Sequence, residues 1–192
     1  MYGDDGPEGL AAFWAHARRL DCVREHPYKH VIDENPYTTV PLRLHGDGAK
    51  GYHVMSWTSA LNRKFGRNLY SLIDEATMVA GGLAEKMLWT IFAWSLDVLA
   101  SGIWPERDWQ GEHWEPGSWR ARLAGSELAP GGLRAVYLQF VGDWKYLKEV
   151  FVLKANYSRK HICFLCDVAK GGGDDSFSLF SMTTAASRTR YC

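Results

Sequence analysis

Apolar positions along the chain change period several times, and each change marks an element. Leu10, Phe13, Trp14, Ala17 and Leu20 recur at helical spacing just after Pro7, which predicts an amphipathic helix. The segment from His26 to Pro36 carries turn residues and reads as a connector. Two strand-like runs follow, "TTVPLRLH" and "YHVMSWTSAL", joined by a glycine-rich turn at Gly46, Gly48 and Gly51. A third strand is expected around Leu69 to Ile73, with Asp74 as an N-cap candidate before Gly81 and Gly82. From Leu83 a helix runs through Met87, Leu88, Ile91, Trp94, Leu96, Val98 and Leu99 until Gly102 and Pro105 stop it. It is apolar nearly all round, so burial is expected.

Residues 104 to 132 break the pattern. Trp104, Trp109, Trp114 and Trp119 stand five apart, a spacing that matches neither helix nor strand. They read either as loop residues packed over the core edge or as a surface for stacking bases or meeting a partner. "LRAVYLQFVGD" then predicts a central strand, and it runs directly into the amphipathic "WKYLKEVFVL". "HICFLC", the flexible "KGGGDD" and a Ser/Thr/Arg-rich end complete the chain.

Bulk composition narrows the classes. A chain of 192 residues accommodates one domain with a sizeable core, and 46% hydrophobic with 23% charged residues is ordinary for a globular protein. Lys+Arg and Asp+Glu balance at 22 each, which argues against a module held on nucleic acid by overall charge. The four cysteines, at 22, 163, 166 and 192, are too sparse for a secreted disulfide framework. The start lacks the pattern of a signal peptide, and the most apolar run, "LWTIFAWSL", is far short of the roughly 20 residues a membrane span needs. A soluble, intracellular protein with no membrane partner is expected; nothing in the sequence fixes its oligomeric state.

Candidate chemistry begins with a repeated grammar. "HGDGA" and "VGDWKYL" each place an Asp after a Gly where a strand gives way to the next element. Ligands collect at the carboxyl ends of strands in sheets with parallel neighbours. Two carboxylates brought together there repel unless a cation lies between them, and Mg²⁺ favours such oxygen ligands. Asp47 and Asp143 are therefore a candidate Mg²⁺ or Mn²⁺ pair; the alternative is ordinary turn chemistry. His45 and His53 flank Asp47 in sequence. In "HICFLC", Cys163 and Cys166 give two thiolates on one tight turn, half of a zinc site, with buried thiols and a redox pair as the other readings. Lys145 and Lys148, three apart, share a helical face that either meets phosphates or is simply solvated. A metallophosphoesterase does not fit, because Tyr146 stands where its motif needs an Asp.

An Asp-bearing first strand, two further strands, a helix and a fourth strand ending in Asp is the order of a ribonuclease-H-like fold. The set "VPLRLHGDGA", "VMSWTSAL", "FAWSLDVLASGIWP", "RARLAG", "VGDWKYLKEVF" and "CFLC" resembles dinoflagellate proteins that look transposon-derived. More distantly it is similar to the catalytic region of cut-and-paste DNA transposases with an Asp-Asp-Glu triad, of the Plavaka or Kyakuja kind. The resemblance implies an α/β fold: a ribonuclease-H-like mixed sheet with flanking helices, incomplete at the C-terminus. The chain is expected to divide into residues 1–36 as an N-terminal helix and connector, 37–170 as the core with a Trp-bearing insertion at 104–132, and 171–192 as a flexible tail, the resemblance covering roughly residues 38 to 170.

The resemblance implies Asp47 and Asp143 as catalytic metal ligands, Cys163 and Cys166 as the following cysteine pair, and DNA as the partner, with a nuclear location. The third acid of such a triad lies on a later helix. Asp174 and Asp175 follow Asp143 at a spacing found in compact members of the superfamily, which makes Asp175 the candidate; the alternative places them in a solvated glycine loop. The implied activity is metal-dependent DNA phosphodiester hydrolysis and strand transfer, in an active enzyme, a fragment or an inactive remnant. The competing reading is a non-enzymatic, zinc-stabilised module whose Trp stretch binds protein or single-stranded nucleic acid.

Overall fold

The computed structural model of the chain describes residues 6–62, 66–78 and 82–151. It divides into two compact units that meet between Val141 and Gly142. The first unit is a mixed α/β layer built on a four-stranded sheet in the order β3-β2-β1-β4. Its strands are β1 (Thr39–Ala49), β2 (Tyr52–Ser59), β3 (Asn68–Asp74) and β4 (Arg134–Gly142). Its helices are α1 (Gly6–Ala17), α2 (Asp21–Arg24), α3 (Lys29–Glu34), α4 (Leu83–Ser101) and α5 (Trp119–Leu123). The second unit, as described, holds α6 (Trp144–Val150).

β1, β2 and β3 form an antiparallel meander. The Arg134 amide donates to the Thr38 carbonyl at 3.0 Å, and the Arg43 guanidinium donates to the Gln139 side chain at 3.2 Å. Both contacts advance in the same direction along the two strands, so β4 runs parallel to β1 and the sheet is mixed. The long connection from β3 to β4 carries α4, as a parallel crossover requires.

The β1–β2 turn differs from the sequence expectation. Gly46 and Gly48 do not turn the chain: β1 continues to Ala49, and Asp47 pairs with Val54 inside the ladder. The reversal is made by Lys50 and Gly51 alone, with φ of 51° and 86°. Two successive left-handed residues match the right-handed twist of the strands they join. Asp74 acts as a cap, its carboxylate accepting from the Ala76 amide at 2.8 Å, but the element it starts is a three-residue 3₁₀ turn.

The core follows from alternation along β1. Leu44 clusters with Met55 of β2 and with Leu88 and Phe92 of α4, while Val40 and Leu42 cluster with Leu10 and with Leu96 and Leu99. Trp14 is fully buried among Ala17, Val23, Val31, Ile32, Ala100 and Val136. Its indole N–H donates to the Thr39 carbonyl at 2.7 Å, which ties α1 to the start of β1. At the sheet edge, the His26 ring accepts from the Tyr28 amide through Nδ1 and donates through Nε2 to the Tyr137 carbonyl. Those two bonds fix the tautomer and occupy a backbone acceptor of the edge strand. α4 is less enclosed than its composition predicts. Leu88, Phe92 and Ala100 are buried, whereas Leu83 is 76% exposed and Trp94 is half-buried. Among the described residues, no helix is long and apolar enough to cross a membrane.

Candidate functional site

In an antiparallel pair, directly opposed residues project to the same face. Arg43 opposes Thr58, His45 opposes Ser56 and Asp47 opposes Val54, so these six define one face of the hairpin. Gly48 opposes His53, and Gly46 opposes Met55, on the other face, where Met55 meets Leu88 and Phe92 of α4. His45 is therefore a same-face neighbour of Asp47, and His53 is not. Sequence adjacency alone cannot make that distinction; the two-residue turn does, by setting the register.

Asp47 is half-buried, and among the described residues its carboxylate takes part in no hydrogen bond or ion pair. Gly46, beside it, is buried. His53 is buried on the α4 side, and burial pushes its pKa below the ordinary histidine value of 6.5. The carboxylates of Glu85 and Glu75 oppose that shift with a smaller effect.

Asp143 is the N-cap of α6. Its backbone is extended, at φ −67° and ψ 163°, and its Oδ1 accepts from the Tyr146 amide at 2.6 Å. One carboxylate oxygen thus orders the helix start, and the other is left for a further partner. Lys145 and Lys148 are both exposed on α6. Cys163, Cys166, Asp174 and Asp175 lie outside the described residues. Among the residues described, Cys22 is a free, exposed thiol, and no group of three or more His, Cys, Asp or Glu side chains could hold a metal ion.

No protein-family model, curated protein or solved structure matches the chain. Chemistry is thus assigned from the residues themselves.

What the sequence left open is the fate of the tryptophans. Trp94 of α4 and Trp104, Trp109, Trp114 and Trp119 line one open cleft of about 540 Å³, together with Asp108 and Arg120. None of the five is buried, and Trp119 is 51% exposed. Four of them are half-buried, which accords with rings packed over the core edge, while Trp119 presents a larger exposed face. A second, apolar cavity of about 280 Å³ lies between α4 and the sheet, lined by Leu42, Leu44, Trp57, Leu96 and Leu99 among others.

Proposed function

We propose that the chain is a transposase-derived domain, related to enzymes that hydrolyse and join DNA phosphodiesters with divalent metal ions. In this reading the sheet is of the ribonuclease-H-like kind. Three antiparallel strands, a crossover helix and a fourth strand beside the first and parallel to it give the order that the motifs imply. The observation that supports the reading is the order of the elements: β4 lies beside β1 in the sheet, and Asp143 directly follows its last residue as the cap of α6.

The carboxylate of Asp47 and the second oxygen of Asp143 are hard donors suited to Mg²⁺ or Mn²⁺. Such ions, when bound, supply Lewis-acid stabilisation of a phosphoryl displacement. The chain's own part is to hold the two carboxylates: Asp47 in a paired strand, and Asp143 by its cap bond to Tyr146. Lys145 and Lys148, exposed on α6, suit contact with DNA phosphates. Cys163 and Cys166 remain candidates for Zn²⁺, and Asp175 for the third acid.

The test is Mn²⁺ titration followed by paramagnetic broadening of the amide spectrum. Wild type is expected to show broadening centred on Asp47 and His45 that Mg²⁺ competes away. Asp47→Asn and Asp143→Asn each remove it, and Asn caps a helix about as well as Asp, so α6 survives the second change. Broadening that persists unchanged in both variants would sink the metal pair.

A further inference from the structure

The geometry points to the tryptophan cleft as a docking site for a proline-rich peptide bearing basic residues, a function independent of the carboxylate pair. The cleft is built rather than accidental. Gly102 and Trp104 tie the start of the segment to its end: the Leu128 amide donates to the Gly102 carbonyl at 2.8 Å, and the Trp104 amide donates to the Ser126 carbonyl at 2.8 Å. Between them, Arg107 and His113 bridge a small loop, and Asp108 stiffens it by accepting from the amides of Gln110 and Glu112. The Trp114 indole donates to the Pro105 carbonyl at 2.6 Å, and Ser118 caps α5, which starts with Trp119. Trp104 and Trp119 meet edge to face, with centroids 5.7 Å apart. Rigid rings at a solvent-open wall give large contact area at little cost in side-chain entropy.

Charge selects among the ligands that stack on tryptophan. Residues 104–127 carry Glu106, Asp108, Glu112, Glu115 and Glu127 against Arg107, Arg120 and Arg122. All three guanidinium groups are used internally. Arg107 donates to the Gly111 carbonyl, Arg122 donates to the Gly117 carbonyl, and Arg120 lies over the Trp114 and Trp119 rings at 5.1 and 5.2 Å. Glu106 and Glu115, exposed next in sequence to Pro105 and Trp114 of the cleft wall, and exposed Glu112 leave the segment with two more acidic than basic side chains, a balance that disfavours a nucleic-acid backbone. A quaternary ammonium ligand is disfavoured as well, because Arg120 already occupies two ring faces with a positive charge.

A sugar needs side-chain acceptors for its hydroxyls. Asp108 has one carboxylate oxygen committed to two amides and offers only the other, and the Ser95 hydroxyl donates to the Ile91 carbonyl, which is few acceptors for a ring of hydroxyls. What predominates is aromatic surface and the indole N–H groups of Trp104, Trp109 and Trp119, which have no acceptor among the described residues. A polyproline II segment offers the complement: apolar pyrrolidine rings, and carbonyls with no internal hydrogen bond. Aromatic-lined grooves take such segments at little ordering cost, and Arg or Lys beside the prolines suits the exposed glutamates of the segment.

The experiment is fluorescence anisotropy with a labelled, arginine-flanked oligoproline. The same peptide with alanine in place of proline, oligo-dT and a cello-oligosaccharide serve as rival probes. The oligoproline is expected to bind best, and Trp119→Ala to weaken it by roughly tenfold or more. Trp119 is half-exposed on a five-residue helix, so its loss spares the core. Glu106→Gln, Glu112→Gln and Glu115→Gln together, all on the surface, weaken the arginine-flanked peptide but not plain oligoproline. Equal binding of the alanine peptide overturns the assignment, as does Trp119-dependent binding of oligo-dT or the oligosaccharide in place of oligoproline.

Discussion

Gly102 is the residue through which α4 hands the chain to the tryptophan segment, and Gly102→Ala tests whether that handover is built as described. Gly102 sits at φ 69° and ψ 14°, the left-handed conformation that ends the helix while its amide reaches back to Val98. An L-residue there costs about 1–2 kcal/mol. A Cβ would also come within 2.7 Å of Arg134 Cγ and 2.9 Å of Arg134 Nε. Cγ lies near the root of the side chain, and Nε is held by its bond to the Ser101 carbonyl at 3.1 Å. Turning Arg134 away forfeits that bond, worth about 0.5–1 kcal/mol at an exposed site. Alanine's smaller unfolded-state entropy returns roughly 0.5 kcal/mol. The net expectation is a loss of about 2 kcal/mol, or a melting midpoint lower by roughly 4–8 °C for a chain of this size. Urea unfolding of the single variants and of the Gly102→Ala, Arg134→Ala pair measures the parts. In the Arg134→Ala background the glycine substitution should cost about 0.5–1 kcal/mol less, because the clash has gone. Equal costs in the two backgrounds would refute the close approach, and a cost under about 0.5 kcal/mol would refute the strain as well.

Two further outcomes follow from buried groups. Trp14→Phe keeps an aromatic ring in the core but leaves the Thr39 carbonyl without its indole donor, and should cost about 3 kcal/mol in urea unfolding; a loss below about 1 kcal/mol would mean that the bond does not anchor α1. His53 is held neutral by burial, so between its lowered folded pKa and its unfolded value of 6.5 the unfolded chain binds more protons, and stability falls as pH drops below about 6.5. Urea midpoints measured from about pH 7.5 to about pH 5 should fall more steeply in wild type than in His53→Gln, and parallel curves would refute the assignment. Asp33, whose carboxyl is lowered chiefly by its bond to Lys29, titrates below its ordinary value of 3.8 and stays outside that window.

The legible parts of the fold were those where one period governs a whole element. Helical spacing from Leu10 to Ala17 and alternation along Val40, Leu42 and Leu44 each answer to a single burial face. Where the chain changes direction, local chemistry had two solutions. "HGDGAKG" offers three glycines, and only Gly51, together with Lys50, adopts positive φ within the hairpin. Gly46 is buried in the ladder opposite Met55. The register set by that turn separates His53 from Asp47, and no count of residues along "LHGDGAKGYH" reveals it. α4 was read as buried because nearly all its positions are apolar. One side of it instead contributes Trp94 to an open cleft, a use that hydropathy does not distinguish from core.

The five-residue spacing of the tryptophans belongs to no regular element because each ring is delivered by a separate reversal of the chain. Gly111, Gly117 and Gly125, each at positive φ, follow Trp109, Trp114 and Trp119 in turn. A glycine at φ > 0 re-aims the backbone within one residue, so rings that would scatter over a helix converge instead on one cleft. Had these rings served the core, burial would have been their energetic return, and a chain with exposed Trp119 forgoes much of it. Three glycine reversals, the Trp114 and Trp104–Trp119 contacts and three internally bound arginines therefore shape the cleft wall, and the alternation of Trp with turn glycine is the sequence signal that carries it.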